Sequence, residues 1–159
     1  MRGIKFRAFL KLDEYLLDVG SATATTPDEI VHMIEERRDA GEIDVEDGSE
    51  IWVVPADSVI RRTAVGTAST STGTYGDSEG DEYEYHYKSD EDRKFGDDYL
   101  ALTQTDETTY EIDGTVRAVE FETATRLAAS LKDGRMDAKE VVLIPRNTVN
   151  DYVIGSDSD

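Results

Sequence analysis

The chain has 159 residues, of which 38% are apolar, enough for one compact domain or two small ones. It contains no cysteine and only two histidines, which excludes disulfide scaffolds and thiolate sites and nearly excludes a multi-histidine metal centre. Its 36 acidic and 17 basic residues give a net charge of −19, and the resulting self-repulsion opposes compaction in dilute buffer.

The type of charged residue points to a salt-rich environment. The 20 aspartates outnumber the 16 glutamates, and the 11 arginines outnumber the 6 lysines. At molar salt the screening length falls to about 3 Å, so the repulsion largely disappears. This acidic, lysine-poor composition resembles that of proteins from haloarchaea and their tailed viruses, and the resemblance implies folding in concentrated salt. The alternative is a locally acidic protein with an interaction role.

Residues 3–19 begin with alternating apolar and charged side chains, which is typical of a half-buried strand. One parity consists of Ile4, Phe6, Ala8, Leu10 and Leu12. The other parity carries a basic stripe, defined as Lys5, Arg7 and Lys11. This stripe is either a solvated strand face that pairs with neighbouring carboxylates or a contact surface for an acidic partner subunit.

Residues 20–25 are small and polar and predict a loop, after which a helix begins. Residues 26–29, Thr-Pro-Asp-Glu, fit a capping box with proline in the first turn. Gly41 ends the helix where a positive φ is needed. The buried stripe is expected to comprise Ile30, Val31, Met33 and Ile34.

A hairpin is predicted after this helix. Asp47-Gly48 is a good two-residue turn between apolar segments at 43–45 and 51–54. Pro55 closes the second segment, because proline has no donor for a strand ladder.

Residues 120–150 repeat the order of residues 26–60: an amphipathic helix, a glycine, a bend, and an apolar strand ending in proline. Pro145 matches Pro55, and residues 141–144 match 51–54. The helical face comprises Ala124, Leu127, Ala128 and Leu131, followed by the stop at Gly134. Strands are predicted at 99–104, 109–113 and 116–121. The repeat is either an internal duplication or a chance recurrence in a small α+β protein.

The segment between the copies differs from both. Residues 66–80 are rich in glycine, serine and threonine, which is typical of a flexible loop. Tyr83, Tyr85 and Tyr87 then alternate with polar residues, which predicts a strand with an aromatic face. This segment is interpreted as a protruding hairpin or arm that packs on a neighbour, with an internal sheet edge or a disordered linker as alternatives.

The predicted fold class is therefore α+β, with two small related units of antiparallel strands plus one helix, joined by an acidic loop or β-arm. The predicted boundaries are 1–65 for the N-terminal β-α-β unit, 66–98 for the acidic tyrosine-bearing loop or arm, and 99–159 for the C-terminal β-α-β unit with its acidic tail.

No residue pattern identifies a reaction. His32 lacks the second histidine of a helical zinc motif, and His86 has no partner at a recognisable spacing. Asp77, Glu79 and Asp81 supply the first ligands of a calcium loop, but the required glycine and glutamate are missing, which leaves weak Mg²⁺ or Ca²⁺ binding as the most this loop offers. No phosphate-binding glycine loop or nucleophile elbow occurs.

These observations predict a non-enzymatic assembly protein with no catalytic, cofactor or metal site. The best fit is a virion component (head decoration, connector or tail) of a haloarchaeal tailed virus, located in the virion or the cytoplasm of a high-salt host. The expected partners are copies of itself or other particle subunits, not nucleic acid or membrane, because phosphates repel so acidic a surface. The expected contact residues are Tyr83, Tyr85, Tyr87, Lys5, Arg7 and Lys11. The alternatives are an acidic inhibitor or nucleic-acid mimic that binds a basic partner, and an uncharacterised halophilic intracellular protein or enzyme.

Overall fold

A computed structural model describes residues 3–64, 71–76, 82–131 and 139–155. Within these ranges the chain forms a sheet-rich mixed α+β fold with ten strands, three α-helices and two short 3₁₀ turns. The elements are β1 (Ile4–Leu12), β2 (Tyr15–Ala24), α1 (Pro27–Asp39), β3 (Glu50–Pro55), β4 (Ile60–Ala64), β5 (Ser71–Gly76), β6 (Glu82–Tyr87), α2 (Asp90–Phe95), β7 (Asp97–Gln104), β8 (Thr109–Ala118), α3 (Phe121–Ser130), β9 (Lys139–Pro145) and β10 (Asn150–Val153). The 3₁₀ turns are Ala56–Ser58 and Arg146–Thr148.

The chain divides into two compact units. The described residues of unit 1 are 3–59, 105–110 and 148–155. Its strands lie in the order β10-β3-β1-β2 and pair antiparallel. Helix α1 packs on the face that carries Phe6, Ala8 and Leu10, because period-two alternation places these side chains together.

Unit 2 comprises the described residues within 60–104 and 111–147. Its strands lie in the order β8-β7-β9-β4. The hairpin β5–β6 joins β8 through a parallel bridge between His86 and Val116. Helix α3 packs through a buried alanine- and leucine-rich face into a core that includes Ala101, Val141 and Leu143.

Part of unit 1 and part of unit 2 share an element order and a strand register. In each unit a hairpin, a helix, a third strand and a 3₁₀ turn follow one another, and the first strand pairs with the third. The registers agree when Pro55 is matched with Pro145: Phe6 faces Pro55 as Tyr99 faces Pro145, and Asn150 faces Val53 as Ile60 faces Leu143. The strand after each 3₁₀ turn lies in the other unit, since β4 belongs to unit 2 and β10 to unit 1.

Helix α1 confirms part of the prediction. It ends at Asp39, and Gly41 has a φ of +79° with the amide of Glu42 donating to the carbonyl of Arg37 at 2.9 Å. The capping box is wrong, because the Thr26 side chain makes no cap hydrogen bond and Glu29 accepts instead from the hydroxyl of Thr25. The predicted stripe is too wide, since Met33 is exposed.

Three strand predictions are also wrong in detail. Residues 20–24 are not a loop but the end of β2, which continues past an irregularity where Ala8 faces Gly20 and Phe9 faces Asp18. Residues 43–45 form no strand, so the Asp47-Gly48 turn joins no hairpin. Residues 109–118 form one strand through Gly114, and Phe121 starts α3 instead of ending a strand.

Strand β1 is buried on both faces, whereas the sequence predicted one. Phe9, on the parity of the basic stripe, is fully buried and stacks edge-on against Tyr110 with ring centroids 5.6 Å apart. Ile4 and Leu12, on the predicted apolar parity, are exposed at the strand ends. Alternation indicated the strand correctly but not which of its positions are covered.

Candidate interaction surface

Helix α2 is fixed by a capping box that the sequence analysis did not recognise. The Ser89 hydroxyl accepts from the amide of Asp92 at 3.2 Å, and the Asp92 carboxylate accepts from the amide of Ser89 at 3.2 Å. The same buried carboxylate accepts from the amide of Val119 at 3.0 Å. Asp92 therefore ties the short helix to the segment that follows β8.

At the end of α2, the backbone of Gly96 approaches this segment too closely for a side chain. A Cβ at Gly96 would lie 2.5 Å from the carbonyl oxygen of Asp92 and 2.7 Å from the carbonyl carbon of Ala118, so no larger residue fits without a shift. The preceding residue, Phe95, is 75% exposed, and Val119 is 44% exposed. We call Phe95 and Val119 the α2 patch.

Asp90, the first residue of α2, pairs with two basic residues of the same helix. Asp90 accepts from Arg93 at 2.6 and 2.9 Å and lies 3.2 Å from the Lys94 ammonium. The hydrogen bonds from Arg93 and Lys94 hold the pKa of Asp90 below its ordinary value. These pairs lie on the exposed surface of α2.

A nearly buried arginine joins the elements of unit 2 near the patch. Arg117 donates to both carboxylate oxygens of Asp98 at 2.6 and 2.9 Å and to the carbonyl of Arg93 at 3.1 Å. Its guanidinium lies 4.1 Å from the centroid of the Tyr85 ring. We call Arg117, Asp98 and Tyr85 the Arg117 cluster, and it connects β6, β7, β8 and α2.

The three predicted tyrosines do not share one environment. Tyr85 is 6% exposed and packs inside unit 2, with its ring touching the position of Gly73. Tyr87 is half-buried, with its ring centroid 5.8 Å from that of Tyr85. The side chain of Tyr83 lies outside the described part of the chain.

The predicted basic stripe is largely engaged within unit 1. Arg7 donates to Asp18 at 2.8 Å and to the hydroxyl of Tyr110 at 3.0 Å. Burial lowers the pKa of Arg7, but these two hydrogen bonds outweigh it and raise the pKa above its ordinary value. Lys11 donates to the carbonyl of Asp13 at 3.0 Å, whereas Lys5 is exposed.

Unit 1 also contains a pair of carboxyl groups beside an indole. Glu50 accepts from the Trp52 ring nitrogen at 2.7 Å and is hydrogen-bonded to Asp151. Burial opposes ionisation of Glu50, but the bonds from Asp151 and Trp52 and the charge of Lys11 lower its pKa. The hydrogen bond between Glu50 and Asp151 links β3 to β10.

Two further features of the described residues are a cavity in unit 1 and a buried histidine nitrogen in unit 2. A cavity of about 270 Å³ lies between α1 and the sheet of unit 1 and is mostly apolar, with Glu36 and Arg37 at its rim. His86 has a buried ring nitrogen with no hydrogen-bond partner, beside Gly114. Neither feature brings together a nucleophile and a base.

Residues 3–64, 71–76, 82–131 and 139–155 contain neither a cluster of metal ligands nor a membrane-spanning helix. Within these ranges no group of three or more histidine or acidic side chains gathers as metal ligands would. The loop with Asp77, Glu79 and Asp81 lies outside the described residues. No helix in the described part has the length and apolar composition needed to span a bilayer.

Sequence reasoning missed both the α2 patch and the Arg117 cluster. A signal for the helix was present, since Ser89 precedes an acidic residue by three positions. No signal marked Arg117 or Asp98, because their pairing depends on the alignment of β7 with β8.

Comparison with known proteins adds no relative: no protein-family model matches the chain, and no curated protein or solved structure is significantly similar to it.

Proposed function

We propose that the protein is a non-enzymatic assembly protein that works in concentrated salt, as a subunit of a particle such as a haloarchaeal tailed virus. The observation that carries this proposal is the exposed Phe95. A phenylalanine offers roughly 150–250 Å² of apolar surface, and aromatic residues are enriched where proteins contact each other. An aromatic ring with 75% of its surface in solvent fits a protein contact.

The way in which Phe95 is held supports a contact role. The capping box, the Asp92–Val119 hydrogen bond and the close approach at Gly96 fix the helix that carries it. Because the backbone at Phe95 is already ordered, binding costs less conformational entropy than it would at a mobile loop.

Of the contact residues expected from the sequence, some are accessible to a partner and others are engaged within their own unit. Tyr87 and Lys5 have exposed or half-exposed side chains that a partner could reach. Tyr85 and Arg7 stabilise their own units through the contacts described above. Replacing all three tyrosines by serine would therefore test the stability of unit 2 together with assembly, and Phe95 offers a cleaner test.

The experiment compares native mass by light scattering after size exclusion, in about 3 M KCl where charge repulsion is screened. We expect the wild-type chain to form oligomers and Phe95→Ser to weaken them by about 2 kcal/mol, roughly 30-fold in dissociation constant. Tyr15→Ser removes an exposed aromatic side chain from unit 1 and serves as the matched control. Unchanged oligomers in Phe95→Ser would exclude the α2 patch, and a wild-type monomer at all concentrations would contradict self-assembly.

A further inference from the structure

The strand β10 lies at the edge of the unit 1 sheet, and the chain enters it directly after leaving unit 2. Unit 2 extends to Asn147, and the chain re-enters unit 1 at Thr148. Between β9 and β10 lie only the 3₁₀ turn Arg146–Thr148 and Val149. We call Asn150–Gly155 the donor segment.

The donor segment packs against β3, Asp28 of α1 and the turn at residues 47–49, and we call these parts of unit 1 the seat. Strand β10 pairs with β3 from Asn150 facing Val53 to Val153 facing Glu50. The side chain of Ile154 is 0% exposed and belongs to the apolar core of the unit. Tyr152 packs against the same core and donates its hydroxyl to Asp28 of α1 at 2.7 Å.

The turn at residues 47–49 closes over the end of the segment. The amide of Gly48 donates to the carbonyl of Ile154 at 2.8 Å, and the amide of Ile154 donates to the carbonyl of Ser49 at 2.8 Å. Gly155 has a φ of +68°, and a Cβ there would overlap the Asp47 carboxylate. The seat therefore recognises backbone, one buried isoleucine and one glycine.

The same seat geometry occurs in unit 2. Strand β4 pairs with β9 in the register that β10 adopts on β3. Two strands of different sequence, Ile-Arg-Arg-Thr-Ala in β4 and Asn-Asp-Tyr-Val in β10, therefore pair in the same backbone register. The buried Ile154 and the closely approached Gly155 are particular to the seat in unit 1.

From this connectivity we propose that copies of the chain associate by exchanging their donor segments, so that β10 of one copy occupies the β3 seat of another. This inference rests on the proposed assembly function and names its partner, a second copy. Every contact of the seat is preserved in the exchanged state, because the donor is chemically identical. Exchange therefore changes only the hinge at residues 146–149 and the entropy of association.

Net charge sets the conditions for exchange. Two copies of a chain with a net charge of −19 repel each other, and the range of this repulsion shrinks from about 10 Å at 0.1 M salt to about 3 Å at 1 M. Exchanged oligomers are expected in concentrated salt and a monomer with its own segment in the seat in dilute salt.

A disulfide between the donor segment and its seat shows whether the two belong to the same chain or to different chains. The chain has no cysteine, so the double variant Glu50→Cys, Val153→Cys places thiols on a facing pair of β3 and β10 without competing thiols. After refolding and oxidation in about 3 M KCl, exchange predicts covalent dimers or longer ladders on a non-reducing denaturing gel. A seat filled by the chain's own segment predicts a cross-link within one chain.

The matched control is Thr63→Cys, Glu140→Cys, which lies at the equivalent facing pair of β4 and β9. Strand β4 is followed in unit 2 by β5, β6 and β7, so its exchange would have to carry these elements too, and this variant is expected to cross-link within one chain. As a second measurement, Glu50→Cys and Val153→Cys single variants are unfolded together and refolded. Only exchange joins one of each into a covalent heterodimer.

The outcomes separate the two proposals. Oligomers whose double variant cross-links only within one chain, with no heterodimer from the mixture, would overturn strand exchange and leave assembly through another surface. A native mass of one chain at every salt concentration would overturn both proposals. Absence of any cross-link in the double variant would contradict the pairing of β10 with β3.

Discussion

At the scale of single residues, the interior of unit 2 depends on a charged pair with a shape that only arginine supplies. The planar guanidinium of Arg117 donates a hydrogen bond to each carboxylate oxygen of Asp98, and it lies over the ring of Tyr85. Both charged side chains are nearly buried, so neither can recover its hydration if the other is removed. Lysine carries the same charge but offers neither the fork nor the flat face.

We expect Arg117→Ala to lower the free energy of unfolding by about 3 kcal/mol, because it leaves the Asp98 carboxylate buried without its partner. Arg117→Lys should recover only part of this loss. Urea unfolding at constant KCl measures both effects. Arg126→Ala is the control, since it removes an exposed arginine paired with Glu122 and should cost about 0.5 kcal/mol or less. Equal losses in Arg117→Ala and Arg126→Ala would contradict the role of the cluster.

At the scale of elements, β10 is a short strand that a side-chain hydrogen bond attaches to its unit. It has four residues, and the Tyr152–Asp28 hydrogen bond links it to α1 across the edge of the sheet. Burial and this bond to a carboxylate raise the pKa of Tyr152 from its ordinary value of 10.0 to about 12. Loss of the proton would place a phenolate beside a carboxylate.

The raised pKa fixes the sign of a pH dependence. A group that holds its proton more tightly in the folded state contributes its full stability below its unfolded pKa and loses it as the pH rises through the folded pKa. For Tyr152 this window runs from 10.0 to about 12. We expect urea unfolding midpoints of the wild type to fall across this window and those of Tyr152→Phe to fall less. The exposed Tyr15→Phe serves as control and should follow the wild type; identical profiles for all three would contradict the assignment.

At the scale of the whole molecule, the excess of acid dominates. The sheet and helix cores of both units are ordinary in composition, whereas the net charge of −19 is spread over 159 residues. Many arginines are bound to carboxylates within their own unit, such as Arg7 to Asp18 and Arg61 to Glu140. Basic residues number less than half the acidic ones, and under the proposed function concentrated salt screens the remaining charge.

We therefore expect the unfolding temperature to rise when KCl is increased from about 0.1 to about 3 M. A gain of roughly 3 kcal/mol corresponds to about 10 °C for a chain of this size. Calorimetry measures the shift, and sucrose at matched water activity is the uncharged control and should raise the temperature less. A temperature that stays constant or falls with KCl would contradict a salt-dependent fold.

The sequence indicated much of the framework. Alternation marked β1, the positive φ at Gly41 was expected, and the segments before Pro55 and Pro145 are strands. The tyrosine-rich segment is strand β6. These features are local, because period, turn chemistry and the missing amide of proline act within a few residues of the chain.

Other features were beyond local reasoning. Burial of Phe9 depends on Tyr110, which is far away in sequence, and the Arg117 cluster depends on the register of β7 with β8. The boundaries predicted at 65 and 99 follow chain order and remain a prediction, and the two compact units consist of segments that alternate along the chain.

By itself, then, the sequence determined the excess of acidic residues, the strand and helix periods and the two strands that end in proline. Each of these depends only on composition or on residues that are close in the sequence. Only the tertiary structure decided which strands are neighbours, that β10 sits on β3 while β4 sits on β9, and that Phe95 lies in solvent while Tyr85 is covered. The physical reason is that strand hydrogen bonds join any two edges of matching register, so the choice between them is made by side chains distant in sequence.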